Sequence, residues 1–192
     1  MGQTHLTIPN AISISRIILL PGLFGLLYYG NKSLFITAYV LLGLTDYFDG
    51  LLARKFNQVS KLGQELDSLA DLLFYISSAY FVYFLFPQAI TDNSNYLLVF
   101  FALLVFSLIL STFLFHKPIM MHTYLLRLNA VLVFLTVITS FWLDITYIVR
   151  GVALLYITGF SEVILIFLYF GEVDPDTRSV YHLFKNRHSY SA

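Results

Sequence analysis

Six apolar runs of about twenty residues constrain this chain more than anything else in it. They cover residues 11–29, 34–52, 66–86, 96–115, 125–143 and 152–170. Each is close to the roughly 20 residues that a helix needs to cross a bilayer core, and in hydrocarbon only helices and closed barrels satisfy their own backbone. Composition agrees, because 58% of the 192 residues are hydrophobic and only 11% are charged, a membrane balance. The expectation is an all-α integral membrane protein with six transmembrane helices. It forms one membrane-embedded domain over residues 1–192, with a polar tail at 171–192.

An even number of spans returns both termini to one side. That side then carries Arg16, Arg54, Lys55, Lys61, Lys117, Arg127, Arg178, Lys185 and Arg187, against Lys32 and Arg150 on the other. The bias predicts cytoplasmic termini and a cytoplasmic face for the polar segment between runs two and three. Net charge is zero, which argues against a nucleic-acid partner. The chain has no cysteine, which excludes disulfides, thiolate nucleophiles and Cys-based zinc sites. The opening MGQTHLTIPN has no basic n-region or small-residue cleavage site, so no removable leader is expected. Leu6 in place of Ser or Thr breaks the myristoylation pattern.

The costly feature is four aspartates among these runs: Asp46, Asp49, Asp67 and Asp71. A carboxylate at the centre of a spanning helix costs about 2.5–3.5 kcal/mol on insertion scales, so the four together call for compensation. Asp46 and Asp49 are i,i+3 and Asp67 and Asp71 are i,i+4, so on helices each pair projects from one face. A polar turn over residues 53–66 would let the two helices run antiparallel and bring the pairs together. Clustered carboxylates raise one another's pKa, and a divalent cation reverses that logic. All-oxygen ligation points to Mg²⁺ or Mn²⁺ rather than zinc. Gly50 and Ala53 leave room beside the helix backbone, and Arg54 offers a planar fork to phosphate. The combination reads as a nucleotide diphosphate site.

The pattern Asp46-x-x-Asp49-Gly50-x-x-Ala53-Arg54, then Gly63, Asp67 and Asp71 at their spacings, resembles the signature of the CDP-alcohol phosphotransferases at every fixed position. Pro9-Asn10-x-x-Ser13-x-x-Arg16, with Pro21 beyond, resembles that family's amino-terminal pattern, with Ser13 where Thr is usual. The resemblance implies that a CDP-linked alcohol is cleaved at its diphosphate by a second alcohol, giving a phosphodiester and CMP. It implies two ions, Mg²⁺ or Mn²⁺, held by Asp46, Asp49, Asp67 and Asp71, with Asp71 also the general base. It further implies a cytidine diphosphate cradle of Gly50, Ala53, Arg54, Ser60 and Gly63, with Asn10 and Ser13 as candidate contacts of the nucleotide-lipid site; ordinary helix packing is the other reading of Ser13. CDP-diacylglycerol is the expected donor, and glycerol 3-phosphate or an inositol phosphate is an expected acceptor. A CDP-ethanolamine or CDP-choline donor with diacylglycerol as acceptor is the alternative. Outside the family, an intramembrane prenyltransferase and a cation transporter are the rivals.

Outside the signature several polar groups keep two readings. His116, Lys117 and Arg127 either hold a phosphorylated acceptor or anchor their spans at the interface. Arg16 either snorkels or reaches an anion. Glu162, deep in the sixth run, is a functional candidate, a hydrogen-bonded group or a subunit contact. The family is commonly homodimeric. Asn10 is expected to cap the first helix, residues 87–95 to form a polar loop, and a tail helix begun near 174–176 to rest Val180, Leu183 and Phe184 on the lipid surface.

Overall fold

The computed structural model describes residues 8–55, 61–175 and 177–189, and every regular element among them is α-helical. The elements are α1 (Ile8–Tyr28), α2 (Lys32–Lys55), α3 (Lys61–Leu85), α4 (Pro87–Asp92), α5 (Ser94–Phe115), α6 (Tyr124–Thr139), α7 (Thr146–Phe170) and α8 (Val180–Ser189). They group into two compact units, the first ending at Phe81 and the second starting at Val82. Among the described residues, three helical segments are long and apolar enough to cross a membrane: Asn10–Tyr28, Ser94–Phe115 and Thr146–Phe170. The apolar stretches Lys32–Thr45, Leu69–Leu85 and Tyr124–Thr139 are shorter.

The distribution of side chains is that of a protein surrounded by hydrocarbon. Ile18, Leu98, Phe113 and Leu168 face outward, while Ser13, Ser78, Ser111 and Asn129 are buried. Water would favour the reverse. The buried hydroxyls are satisfied locally: Ser77 donates to Leu73 O, Ser78 to Phe74 O and Ser111 to Leu108 O. Small hydroxylated residues can therefore line a helix contact without a bare polar group.

In the first unit an aromatic ladder sets the helix registers. Phe35 meets Phe81 edge to face at 5.1 Å, and Tyr39 stacks on Phe74 at 5.0 Å while its hydroxyl lies 2.8 Å from Ser78 Oγ. Positions rising along α2 thus pair with positions falling along α3, so the two run antiparallel. Phe24 packs on Phe81 at 4.9 Å, and the Tyr28 and Tyr80 hydroxyls are 2.8 Å apart. Together with the contacts of Arg16 further down, these make α1 parallel to α3. Such aromatic pairs each contribute about 0.5–1.5 kcal/mol beyond area burial.

In the second unit α7 is the common partner of α4, α5, α6 and α8. Phe100 packs on Tyr156 at 4.7 Å and Phe115 on Phe167 at 5.6 Å, which orients α5 parallel to α7. At Gly159 a Cβ would lie 2.9 Å from Leu126 Cδ2, so α6 and α7 meet closely there. The connection between them exposes Trp142, 69% accessible, and is closed by Asp144, whose Oδ1 accepts from Thr146 N at 2.9 Å. That backbone hydrogen bond holds the Asp144 carboxyl below its ordinary pKa.

Several boundaries differ from the sequence reading. Helix α1 starts at Ile8, so Asn10 lies inside it, 3% exposed, and is not its cap. Helices α2 and α3 continue through Lys55 and from Lys61, so the polar stretch 53–66 is helical at both ends, and residues 56–60 lie outside the described set. The expected loop 87–95 is mostly helix: Pro87 opens α4 at its first position, where proline is tolerated. Asn93 then joins α4 to α5. Its amide nitrogen donates to Ala89 O and Thr146 O, and its oxygen accepts from Arg150 Nε at 3.0 Å. This anchors Arg150 within α7, which begins six residues ahead of the apolar run.

The tail departs furthest. Thr177 N closes a turn onto Asp174 O, and α8 starts only at Val180. His122 N donates to Pro175 O and Tyr124 N to Arg178 O, tying the tail to the segment before α6. Val180 and Leu183 pack against the cluster of Ile119, Met121, Val163, Ile166 and Phe167, and Phe184 meets Phe170 at 4.9 Å. Val180 and Leu183 therefore pack within the fold, while Phe184, in contact with Phe170, stays 46% exposed. Glu162 explains the docking: its Oε1 accepts from Val180 N at 2.9 Å, a carboxylate at the start of α8. We expect Glu162→Ala to cost about 1 kcal/mol of tail docking, roughly a fivefold rise in the open fraction. Limited proteolysis within 171–189 reads this directly, and Glu162→Gln, which keeps an acceptor, should stay near wild type.

Candidate functional site

The Asp67 and Asp71 carboxylates are brought together on α3, and a cation from another helix sits on both. Arg16 Nη1 lies 2.5 Å from Asp71 Oδ1, and Arg16 Nη2 lies 3.3 Å from Asp67 Oδ1. Arg16 is 2% exposed, whereas the two carboxylates are 34% and 41% exposed. The arginine thus does not snorkel. It approaches from the protein side, leaving the aspartates reachable from outside. Asn10, Ser13 and Arg16 are all buried and succeed one another every three residues along α1, which puts them on one helical face.

The antiparallel register of α2 and α3 carries this level across to the other acidic pair. Asp46 is seven residues beyond Tyr39 on α2, and Asp71 is seven residues before Ser78, the Tyr39 partner, on α3. Over about 10 Å of helix the two positions stay level. Asp49, one turn on, falls opposite the turn that holds Asp67. The side chains of Asp46, Asp49, Ala53 and Arg54 lie outside the described residues, as does Gly50 apart from its helical backbone. Gly63 lies in the first turn of α3, partly buried, and Ser60 is outside the described residues.

The fit to a divalent cation is tested by the pair that is described. Two carboxylate oxygens already converge on a single positive group, hard oxygen donors suit Mg²⁺ or Mn²⁺, and their partial exposure leaves a route in. No group of three or more His, Asp or Glu side chains stands ready for a metal among the described residues. Completing a site would therefore call on α2.

A model of the CDP-alcohol phosphatidyltransferase family matches residues 6–167. The chain belongs to this family. A stretch of 69 residues is 39% identical to a CDP-diacylglycerol–glycerol-3-phosphate 3-phosphatidyltransferase of Rickettsia typhi, covering 34% of this chain and 39% of that protein. A stretch of 72 residues is 40% identical to the protein of the same name in Aquifex aeolicus, covering 36% and 39%. A stretch of 79 residues is 43% identical to a CMP-forming cardiolipin synthase of Rattus norvegicus, covering 38% and 26%. The matches span about two fifths of the length of these relatives, or less. No solved structure matches.

As a member of the CDP-alcohol phosphatidyltransferase family, the chain is an integral membrane protein. The other sequence candidates lie in the second unit. His116 is the left-handed cap of α5, at φ 57°. Lys117 pairs with Glu172 at 2.5 Å, both partners more than half exposed, a contact of little energetic weight. Arg127 is exposed on α6, in its first turn. The site partner that sequence left undecided was Arg16. The signal for it was there in the three-residue beat of Asn10, Ser13 and Arg16 through an apolar run.

Proposed function

We propose that this protein transfers a phosphatidyl group from CDP-diacylglycerol to an alcohol, releasing CMP. The observation that carries the reading is the convergence of Asp67 and Asp71 on one cationic position, in a chain of this family. The acceptor hydroxyl attacks the phosphorus on the lipid side of the diphosphate, the bond from that phosphorus to the bridging oxygen breaks, and CMP leaves with the electron pair. Asp71 takes the hydroxyl proton. Asp46, Asp49, Asp67 and Asp71 would hold a pair of Mg²⁺ or Mn²⁺ ions, which supply charge neutralisation for the diphosphate and its leaving oxygen. Arg54 grips a phosphate by its planar fork, Gly50, Ala53 and Gly63 give the cytidine room, and Asn10, Ser13 and Ser60 supply polar contacts.

Relatives named for glycerol 3-phosphate support that compound as the first acceptor. Six apolar helices would cross the bilayer, with termini and site on the cytoplasmic side. Removing the buried Arg16 from the charge comparison leaves eight basic residues against two, a bias that supports this orientation.

The deciding experiment measures CMP released by purified protein with Mg²⁺ or Mn²⁺. CDP-diacylglycerol is supplied with a panel of alcohols, and CDP-ethanolamine or CDP-choline with diacylglycerol. CMP from CDP-diacylglycerol with glycerol 3-phosphate is expected. Release only from the head-group donors would reassign the donor, and no release from any pair would end the proposal.

A further inference from the structure

We infer that Arg16 is a built-in counter-ion for the acidic pair: it holds Asp67 and Asp71 convergent before a divalent ion arrives, and competes with that ion for their oxygens. This rests on the metal-dependent reading above. Nothing in that reading requires a cation from α1.

The position of Arg16 is fixed by more than its own contacts. Helix α1 is pinned along α3 at its far end by Phe24 on Phe81 and by the Tyr28–Tyr80 hydroxyl contact. The guanidinium is therefore presented at the level of Asp67 and Asp71 by a framework that does not depend on those carboxylates. Two of its nitrogens take one oxygen from each aspartate, at 2.5 and 3.3 Å, a bridge that a planar fork can make and a point charge cannot. At 2% exposure the group has no route to water if its partners leave. It also stays charged, since arginine does not deprotonate in proteins.

Two consequences pull in opposite directions. Repulsion between Asp67 and Asp71 would turn the carboxylates apart, and Arg16 offsets it, so the pair is set before loading. A divalent ion that joins the same two carboxylates then meets a positive charge a few ångströms away, which weakens its hold. Of the two contacts, that with Asp67 is the longer, and Asp67 is the more exposed of the pair.

The test is Mn²⁺ binding to full-length protein in detergent, read by electron paramagnetic resonance, together with thermal unfolding with and without Mn²⁺. Wild type should bind Mn²⁺; if it does not, the metal-dependent reading fails and this inference with it. Given wild-type binding, Arg16→Gln should bind Mn²⁺ at least about tenfold more tightly. Its metal-free form should melt earlier, and Mn²⁺ should raise its midpoint further than in wild type. Arg16→Lys, which keeps charge without the bridge, should fall between the two, and it carries the test alone if the glutamine variant does not fold. Unchanged or weaker Mn²⁺ binding in the folded variants would overturn the counter-ion role while leaving the metal-dependent reading intact.

Discussion

Asp71→Asn should lower the rate of CMP release by at least about 10²-fold while the helices remain folded. Asparagine keeps the shape of the side chain and its oxygen for Arg16, but it cannot take a proton from an attacking hydroxyl. Asp71 is the member of the acidic pair most tightly held by the guanidinium, yet a third of it remains exposed. It is therefore both oriented and open to an incoming alcohol. Folding should survive because Arg16 retains Asp67 as a charged partner. The measurement is single-turnover CMP release beside circular dichroism of the same sample. If more than about a tenth of wild-type turnover persists with native helicity, the base is elsewhere.

Stripping divalent ions with a chelator should have the larger effect, extinguishing turnover, and adding back Mg²⁺ or Mn²⁺ should restore it. Charge stabilisation of this kind is worth several kcal/mol, and roughly 4 kcal/mol corresponds to about 10³-fold in rate. The need for a metal follows from the balance of charge at Asp67 and Asp71. One guanidinium faces two described carboxylates, and the α2 register brings two further acidic positions to the same level. A diphosphate would add more negative charge to that neighbourhood, which Arg16 and Arg54 could not neutralise by themselves. Turnover that persists in excess chelator would show that these side chains act without a metal.

Much of this was readable from the residues. Helices follow from the runs, and the pairing of Asp67 with Asp71 follows from one turn of helix. Less readable was what depends on partners far along the chain. Nothing local says that Asn93, in a stretch of turn-forming residues, will serve α4, α5 and Arg150 together, so the stretch reads as a loop where two helices nearly abut. Arg16 sits 51 and 55 residues from its two partners, and only the parallel packing of α1 on α3 discloses them. The tail reads as an amphipathic surface helix because its apolar residues are few. Glu162 and the cluster beneath it instead give those residues a place within the fold.

The turn between α6 and α7 leaves one more resource. The chain has a single tryptophan, and it stands at this turn with most of its indole uncovered. Indole emission shifts with the polarity around it, so the unmodified protein carries its own optical depth gauge. In vesicles with brominated acyl chains, its quenching profile would place this end of the bundle relative to the headgroups without an introduced label.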